Sequence, residues 1–376
     1  MKEQRIYSLD FLKFIATLCI IFHHYQIYTK TRFSTGVNFA AGRFDFSFLV
    51  ELFFVLSGYF ISSYIENIKE GMSFKDFFVP KYLRFLLPST ITVIVFAVLD
   101  ILYEQLYAEQ FFDRTVQIWG VLATSLGFSN GWGIPNSKMN GTLWYISVLL
   151  ICYMIFYAIV FVSKKLNASP YWMFAFMIFL SFSVATNQIN FLFLDFGTSR
   201  GLSSFFWGVI LARFMREKKM SVKAAAISLF ALVGTAIVIL RYNTTYASDG
   251  QRYLYTFCMY PLLLAVLQTT TMKRLFKSKL WGWLGNVSFE AYIWHFPLIL
   301  ALLNLDKIWN LNIDYTNRIN LLVIAVASFA VGIPCYYLVE KPASSYFAKK
   351  LAGIREENTS DGVKIRGGGY KLLMGV

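Results

Sequence analysis

Long apolar runs and short polar breaks alternate along almost the whole chain. A helix needs about 20 mainly apolar residues to cross a hydrocarbon core ~30 Å thick. Ten stretches match that pattern: 9–28, 46–66, 85–106, 142–163, 171–186, 200–215, 224–240, 253–271, 284–304 and 319–339, the fifth and sixth being short. They predict an all-α polytopic integral membrane protein with about ten transmembrane helices. The apolar piece Trp119–Phe128 is too short to span and reads as re-entrant or interfacial.

Composition agrees. Hydrophobic residues make up 57% of the 376 and charged residues 15%, against about 45–50% and about 25% in soluble domains. Charge then sets the orientation. With the N-terminus cytoplasmic, 24 of the 35 Lys and Arg fall on the inner side and 10 on the outer, with Lys13 inside the first span. That bias follows the positive-inside rule and places both termini in the cytoplasm. It also accounts for the net charge of +14 without nucleic acid: basic loops lie beside anionic lipid. The expected location is the cell membrane, multi-pass.

The remaining features are few. Cys19, Cys152, Cys258 and Cys335 all fall in predicted spans without metal-ligand spacing and read as buried reduced thiols. No metal or bound cofactor is expected. The N-terminal apolar run has no small-residue cleavage site and contains Asp10, Lys13 and His24, so it reads as a retained helix. Residues 1–345 form one membrane domain. Residues 346–376, with Gly367–Gly369, read as a flexible cytoplasmic tail. The longest loop, about 107–141, holds the turn-rich stretch Ser129–Asn136.

Inside a membrane the ionisable residues carry the information, because each is costly to bury. At 100° per residue, Asp10, Lys13, Thr17, His24 and Tyr28 share one face of the first helix, while His23 points about 100° away. Lys13 reads either as lining a pathway or as snorkelling to headgroups. His24 reads either as a general base or as a structural hydrogen bond. Counting ~1.5 Å per residue, His24 and Glu51 both lie about 8 Å below the outer face. Glu51 is therefore either the carboxylate that orients His24 or a helix cap near the interface. Ser57-Gly58 follows a bulky run and predicts close helix packing. Lys81 and Arg84, between Pro80 and Pro88, are an i, i+3 pair at the cytoplasmic surface, suited to phosphate or simply positive-inside residues. Ser288, Tyr292 and His295 share a face of the ninth stretch.

These motifs resemble the membrane-bound acyltransferase-3 family. The likeness rests on five stretches in family order: Ser8–Lys13 leading to His24; Glu51–Tyr59; Lys81–Arg84 before Pro88; Leu284–Phe289 with Tyr292, Trp294, His295 and Pro297; and Val339–Pro342. It covers about residues 5–345. The chain departs from the family pattern at Lys13 and Lys81, where the family carries arginine; charge is kept but the planar five-donor fork is lost. The resemblance implies an O-acyltransferase, most simply an O-acetyltransferase, that uses acyl-CoA (acetyl-CoA above all) as co-substrate. The acceptor would be a hydroxyl of an envelope or exported glycan or its lipid-linked precursor. His24 and Glu51 would be catalytic, and Lys13, Lys81 and Arg84 would bind the donor. Asp10, Ser57, Ser288, Tyr292 and His295 would line the substrate cavity. No segment resembling the fused esterase-like domain of some members follows the tenth span, so a second transfer step is expected to need another protein. Direct transfer and a covalent acyl-His intermediate both stay open, as does the oligomeric state. A transporter of a sugar, lipid-linked intermediate or amino acid would use the same buried charges for proton coupling, although no inverted repeat is visible. A structural subunit of a polysaccharide assembly complex would tolerate their loss.

Overall fold

In a computed structural model the described residues are 5–40, 46–111, 116–132, 139–217, 222–241 and 249–346. The expected tail beyond Tyr346, the Gly133–Asn136 part of the turn-rich stretch and Lys138 lie outside them. The described residues are all-helical, with no β-strand among them. Each of the ten apolar stretches falls on helix: α1 Tyr7–Tyr28, α2 Leu49–Ile61, α3 Phe74–Tyr107, α4 Trp144–Lys165, α5 Pro170–Thr186, α6 Phe196–Glu217, α7 Val222–Arg241, α8 Tyr260–Leu267, α9 Lys279–Trp309 and α10 Ile319–Cys335. A π-helical turn, Tyr255–Met259, leads into α8, and another, Tyr336–Glu340, extends α10.

Five segments among the described residues are long and apolar enough to cross a membrane: Phe46–Lys69, Phe74–Tyr107, Gly141–Lys165, Lys279–Trp309 and Ile319–Tyr346. The count is half the ten expected; for α1, α5 and α6 the reason is polar content or length. α1 and α6 have 22 residues each, but α1 carries Asp10 and Lys13, and α6 carries Arg200, Arg213 and Arg216. α5 has 17 residues. The apolar Trp119–Phe128 piece forms a short helix, Ile118–Ser125, against α3.

The surface is inside-out relative to a soluble protein. Leu87, Ile91, Ile94, Val98 and Ile101 form an exposed stripe on α3, about 21 Å long at ~1.5 Å per residue. α5 exposes Trp172, Phe176 and Phe179, and α10 exposes Leu322, Val323 and Val326. Such contiguous apolar faces suit hydrocarbon, not water. Of the four cysteines expected to be buried, Cys152 and Cys335 are, Cys19 is half-buried and Cys258 is exposed.

Two bundles meet at the site. α2 packs on α6, and α6 on α5; α1 and α10 flank α9, which also packs on α3. The Ser57-Gly58 reading is borne out: a Cβ on Gly58 would overlap the Phe205 carbonyl, and one on Gly208 would overlap the Val55 carbonyl. The two backbones therefore touch at reciprocal glycines, as small residues permit between membrane helices. Behind this seam, Tyr153, Phe156, Phe174, Phe205 and Phe206 are fully buried, with Phe156 and Phe174 stacked at 5.7 Å.

One boundary differs from the sequence reading. α3 was expected to start after a cytoplasmic segment holding Pro80 and Pro88, yet it starts at Phe74, capped by Ser73, and runs through both prolines. Proline removes a helical N–H, and in membrane helices neighbouring groups take up the freed backbone. Pro80 frees the Asp76 carbonyl, and in the same turn Lys81 Nζ donates to the adjacent Phe77 carbonyl at 2.8 Å.

Candidate active site

The polar stripe of α1 faces α9, and their contact is staged along its length. At the N-terminal end Asp10 accepts from Arg5 Nε at 2.6 Å, and Lys13 Nζ lies 3.8 Å from the other Asp10 oxygen. Arg5 also donates to the Gly282 carbonyl at 2.6 Å and to Asn286 Oδ1 at 2.7 Å, so this ion pair staples α1 to α9. Gly285 allows the approach, since a Cβ there would press on Asp10. Lys13 is 5% exposed and its Nζ sits 4.6 Å above the Phe60 ring, so it does not snorkel clear of the protein.

Further along lies a narrow cavity of about 50 Å³. Its wall contains Lys13, Thr17, Ser57, Tyr145, Ser288 and Tyr292, with Phe53, Phe85 and Phe289 among the apolar members. Four sequence-derived candidates, Lys13, Ser57, Ser288 and Tyr292, thus meet in one space. Ser57 pairs with the Tyr145 hydroxyl at 2.9 Å, Ser288 donates to the Leu284 carbonyl at 2.7 Å, and Tyr292 donates to the Thr142 carbonyl at 3.0 Å. The Thr17 hydroxyl is buried with no hydrogen-bond partner among the described residues. Asp10 and His295, expected on this wall, stand off it. Asp10 is held by Arg5, and His295 lies one turn beyond Tyr292, its ring 5.8 Å from the tyrosine ring.

Beyond the cavity the two helices bring His24 and His295 together. His24 Nδ1 lies 2.9 Å from His295 Nε2. The ring centres are 5.0 Å apart with planes 23° from parallel, as expected for imidazoles meeting edge to edge. His295 is fully buried and its Nδ1 lies 2.5 Å from the Tyr292 carbonyl. Pro297 prepares this place: its missing N–H frees the Ile293 carbonyl, which the buried Asn140 amide fills at 3.0 Å. His23 points elsewhere, as expected, and its Nδ1 meets the Phe39 carbonyl at 2.8 Å.

The expected His24–Glu51 pairing is not made. Glu51, 1% exposed, accepts from Arg200 Nε at 2.6 Å, with Arg252 Nε 3.3 Å from the same oxygen. Matching depth on consecutive helices carries no information on azimuth, and α2 turns Glu51 toward α6. The expected surface pair of Lys81 and Arg84 is also corrected. Lys81 Nζ sits 3.8 Å over Tyr64 and 4.1 Å over Phe77, and Arg84 Nε bonds Glu340 at 2.5 Å in a site where Glu340 is 3% exposed. Arg84, 19% exposed on its side chain, therefore joins α3 to the extension of α10.

Several residues of the region were missed. Arg200 and Arg252 read only as outer basic residues, and Glu290, fully buried on α9 beside Glu340, was passed over. The rule that flagged Asp10 and Glu51, an ionisable residue inside a span, applies to Glu290 as well. Asn140 and Tyr145 carried no such signal. Among the described residues, no group of three or more His, Cys, Asp or Glu could hold a metal ion.

Comparison with known proteins supplies the family. The chain is 22% identical over 384 residues to the peptidoglycan O-acetyltransferase OatA of Listeria monocytogenes serovar 1/2a, covering 93% of this chain and 58% of that protein. It is 23% identical over 331 residues to a Staphylococcus aureus (strain COL) protein provisionally named an O-acetyltransferase, covering 79% of this chain and 51% of that one. The chain thus spans a little over half the length of these curated relatives. No solved structure matches it. Residues 6–337 match the family described as an acyltransferase domain. The chain belongs to this acyltransferase-3 family.

Proposed function

We propose that the protein is a membrane O-acetyltransferase that moves the acetyl group of acetyl-CoA to a hydroxyl of a cell-envelope glycan. The observation that carries the reading is the pair of half-buried His24 and fully buried His295, the latter one turn beyond Tyr292 of a cavity lined by Lys13, Ser57, Ser288 and Tyr292. An alcohol is a poor nucleophile near neutral pH until a base takes its proton, and imidazole suits that task. In the proposed step the glycan oxygen attacks the thioester carbonyl, the C–O bond forms and the C–S bond breaks. His24 takes the hydroxyl proton and passes it to the departing thiolate, giving free CoA.

The cavity supports a small acyl group. Its volume of about 50 Å³ compares with about 30 Å³ for one water in the liquid. The partnerless Thr17 hydroxyl is a donor suited to the thioester or acetyl oxygen. Lys13, on the cavity wall, would meet the donor arm. The peptidoglycan in the Listeria relative's name suggests that class of acceptor. The proposed topology keeps ten spans and both termini cytoplasmic, so that the Lys13 end of the cavity faces the CoA pool and the histidines face the acceptor.

The test is release of CoA thiol from acetyl-CoA by purified protein given envelope glycan, with acetyl ester recovered on the glycan. Thiol release that depends on glycan supports the reading. Uptake of glycan or lipid-linked sugar into vesicles without ester formation would replace it with the transporter.

A further inference from the structure

We infer that His295 is a positioning residue that fixes His24 in the Nδ1–H tautomer, so that Nε2 of His24 is the nitrogen that takes the acceptor's proton. This rests on the acyltransferase reading above and assigns a role to the second histidine within it.

The argument starts from a carbonyl, which can only accept. His295 Nδ1 lies 2.5 Å from the Tyr292 carbonyl and therefore carries a hydrogen. A neutral imidazole has one N–H, so Nε2 of His295 is bare and accepts. Its partner at 2.9 Å is His24 Nδ1, which must then be the donor. His24 is left with its lone pair on Nε2. The chain of constraint runs from the α9 backbone through two rings, and each link leaves a single choice.

The alternative is a doubly protonated His295, which would donate at both nitrogens and turn His24 over. That places an imidazolium at a position 0% exposed. A buried charge is tolerated when paired; Glu51 answers Arg200 and Arg252, Asp10 answers Arg5 and Lys13, and Glu340 answers Arg84. Glu290, also buried on α9, stands beside Glu340, about 140° around the helix from His295 at 100° per residue. The neighbouring ring is a third histidine, His23, 5.2 Å from His24, and its Nδ1 is itself set against the Phe39 carbonyl. The neutral pair is the arrangement these surroundings favour.

A consequence for the proton follows. When His24 Nε2 takes the hydroxyl proton, the imidazolium donates a charge-assisted hydrogen bond to His295 Nε2, which strengthens the contact as charge develops. The proton cannot run on through His295, because Nδ1 there meets a carbonyl. It returns from the same His24 Nε2 to the thiolate sulfur. His295 thus steadies the charged state without carrying the proton away.

The chain has three histidines, which makes the tautomers directly readable. Nitrogen-15 spectra of histidine-labelled protein in nanodiscs, assigned by single His substitutions, should show His24 protonated at Nδ1 and bare at Nε2. His295→Leu should lose that pattern and lower kcat by about 10²-fold, with both KM values changed less than about two-fold. His295→Gln keeps an acceptor toward His24 Nδ1 and should restore at least a tenth of kcat. A wild-type His24 carrying its hydrogen on Nε2 overturns the inference, and so does equal activity of the Leu and Gln variants at equal folded yield. Transfer that survives His24→Ala would instead remove the acyltransferase role of His24, whatever tautomer the spectra show.

Discussion

Arg84→Met removes the cation from a site that holds two carboxylates. Glu340 is 3% exposed on its side chain and bonds Arg84 at 2.5 Å, and Glu290 stands beside it, fully buried. Breaking a buried pair by deleting one partner costs about 3–5 kcal/mol, because the other charge stays buried without compensation. At ~2 °C per kcal/mol for a large domain, the thermal midpoint in detergent should fall by roughly 6–10 °C. The double variant Arg84→Met/Glu340→Gln removes both charges and should recover most of that loss, leaving less than about 1–2 kcal/mol. Size-exclusion of heated, solubilised protein measures both variants, and a donor titration in the transfer assay is run beside it. A tie between α3 and the end of α10 predicts lost stability with little change in the KM for acetyl-CoA of the surviving enzyme. An Arg84→Met protein with an unchanged midpoint and a raised donor KM would refute this and return Arg84 to the donor mouth.

Other expectations follow from the same contacts. Gly58→Val and Gly208→Val each drive a side chain into a facing backbone carbonyl and should reduce folded yield sharply; overpacking costs ~1–3 kcal/mol even where neighbours can shift. Normal yield of both would mean the α2–α6 seam is looser than described. Glu51→Gln should lower stability more than it lowers kcat per folded molecule, because Glu51 answers Arg200 and not His24; a pure kcat loss would restore the catalytic carboxylate. Cysteines placed at Lys165 and Lys277 should label from the cytoplasmic side and those at Lys138 and Asp249 from outside, and outside labelling at Lys165 would break the proposed topology.

The helices were legible because hydrocarbon demands long apolar runs, and each predicted run lies on helix. Their ends were less so: Pro80 and Pro88 looked like boundaries, yet α3 continues through them. The face of α1 was also legible, since Asp10, Lys13, Thr17 and His24 are fixed on one side by helical geometry alone. What spacing within one helix cannot give is the partner across the gap. His24 meets a residue 271 positions away, and Glu51 one 149 positions away. Depth arithmetic put Glu51 and His24 at one level and so suggested a pair, but the α2–α6 packing at the Gly58–Gly208 seam turns Glu51 toward α6. The shared face of Ser288, Tyr292 and His295 held, with its members divided between cavity wall and histidine pair.

The central claim is that His24 removes the acceptor's proton. The direct measurement is acetyl transfer from acetyl-CoA to envelope glycan by purified His24→Ala protein, compared with wild type at equal folded yield and with His23→Ala as control. The account predicts loss of transfer by about 10²–10⁴-fold in His24→Ala and near-normal transfer in His23→Ala. Full transfer by a well-folded His24→Ala protein would contradict it.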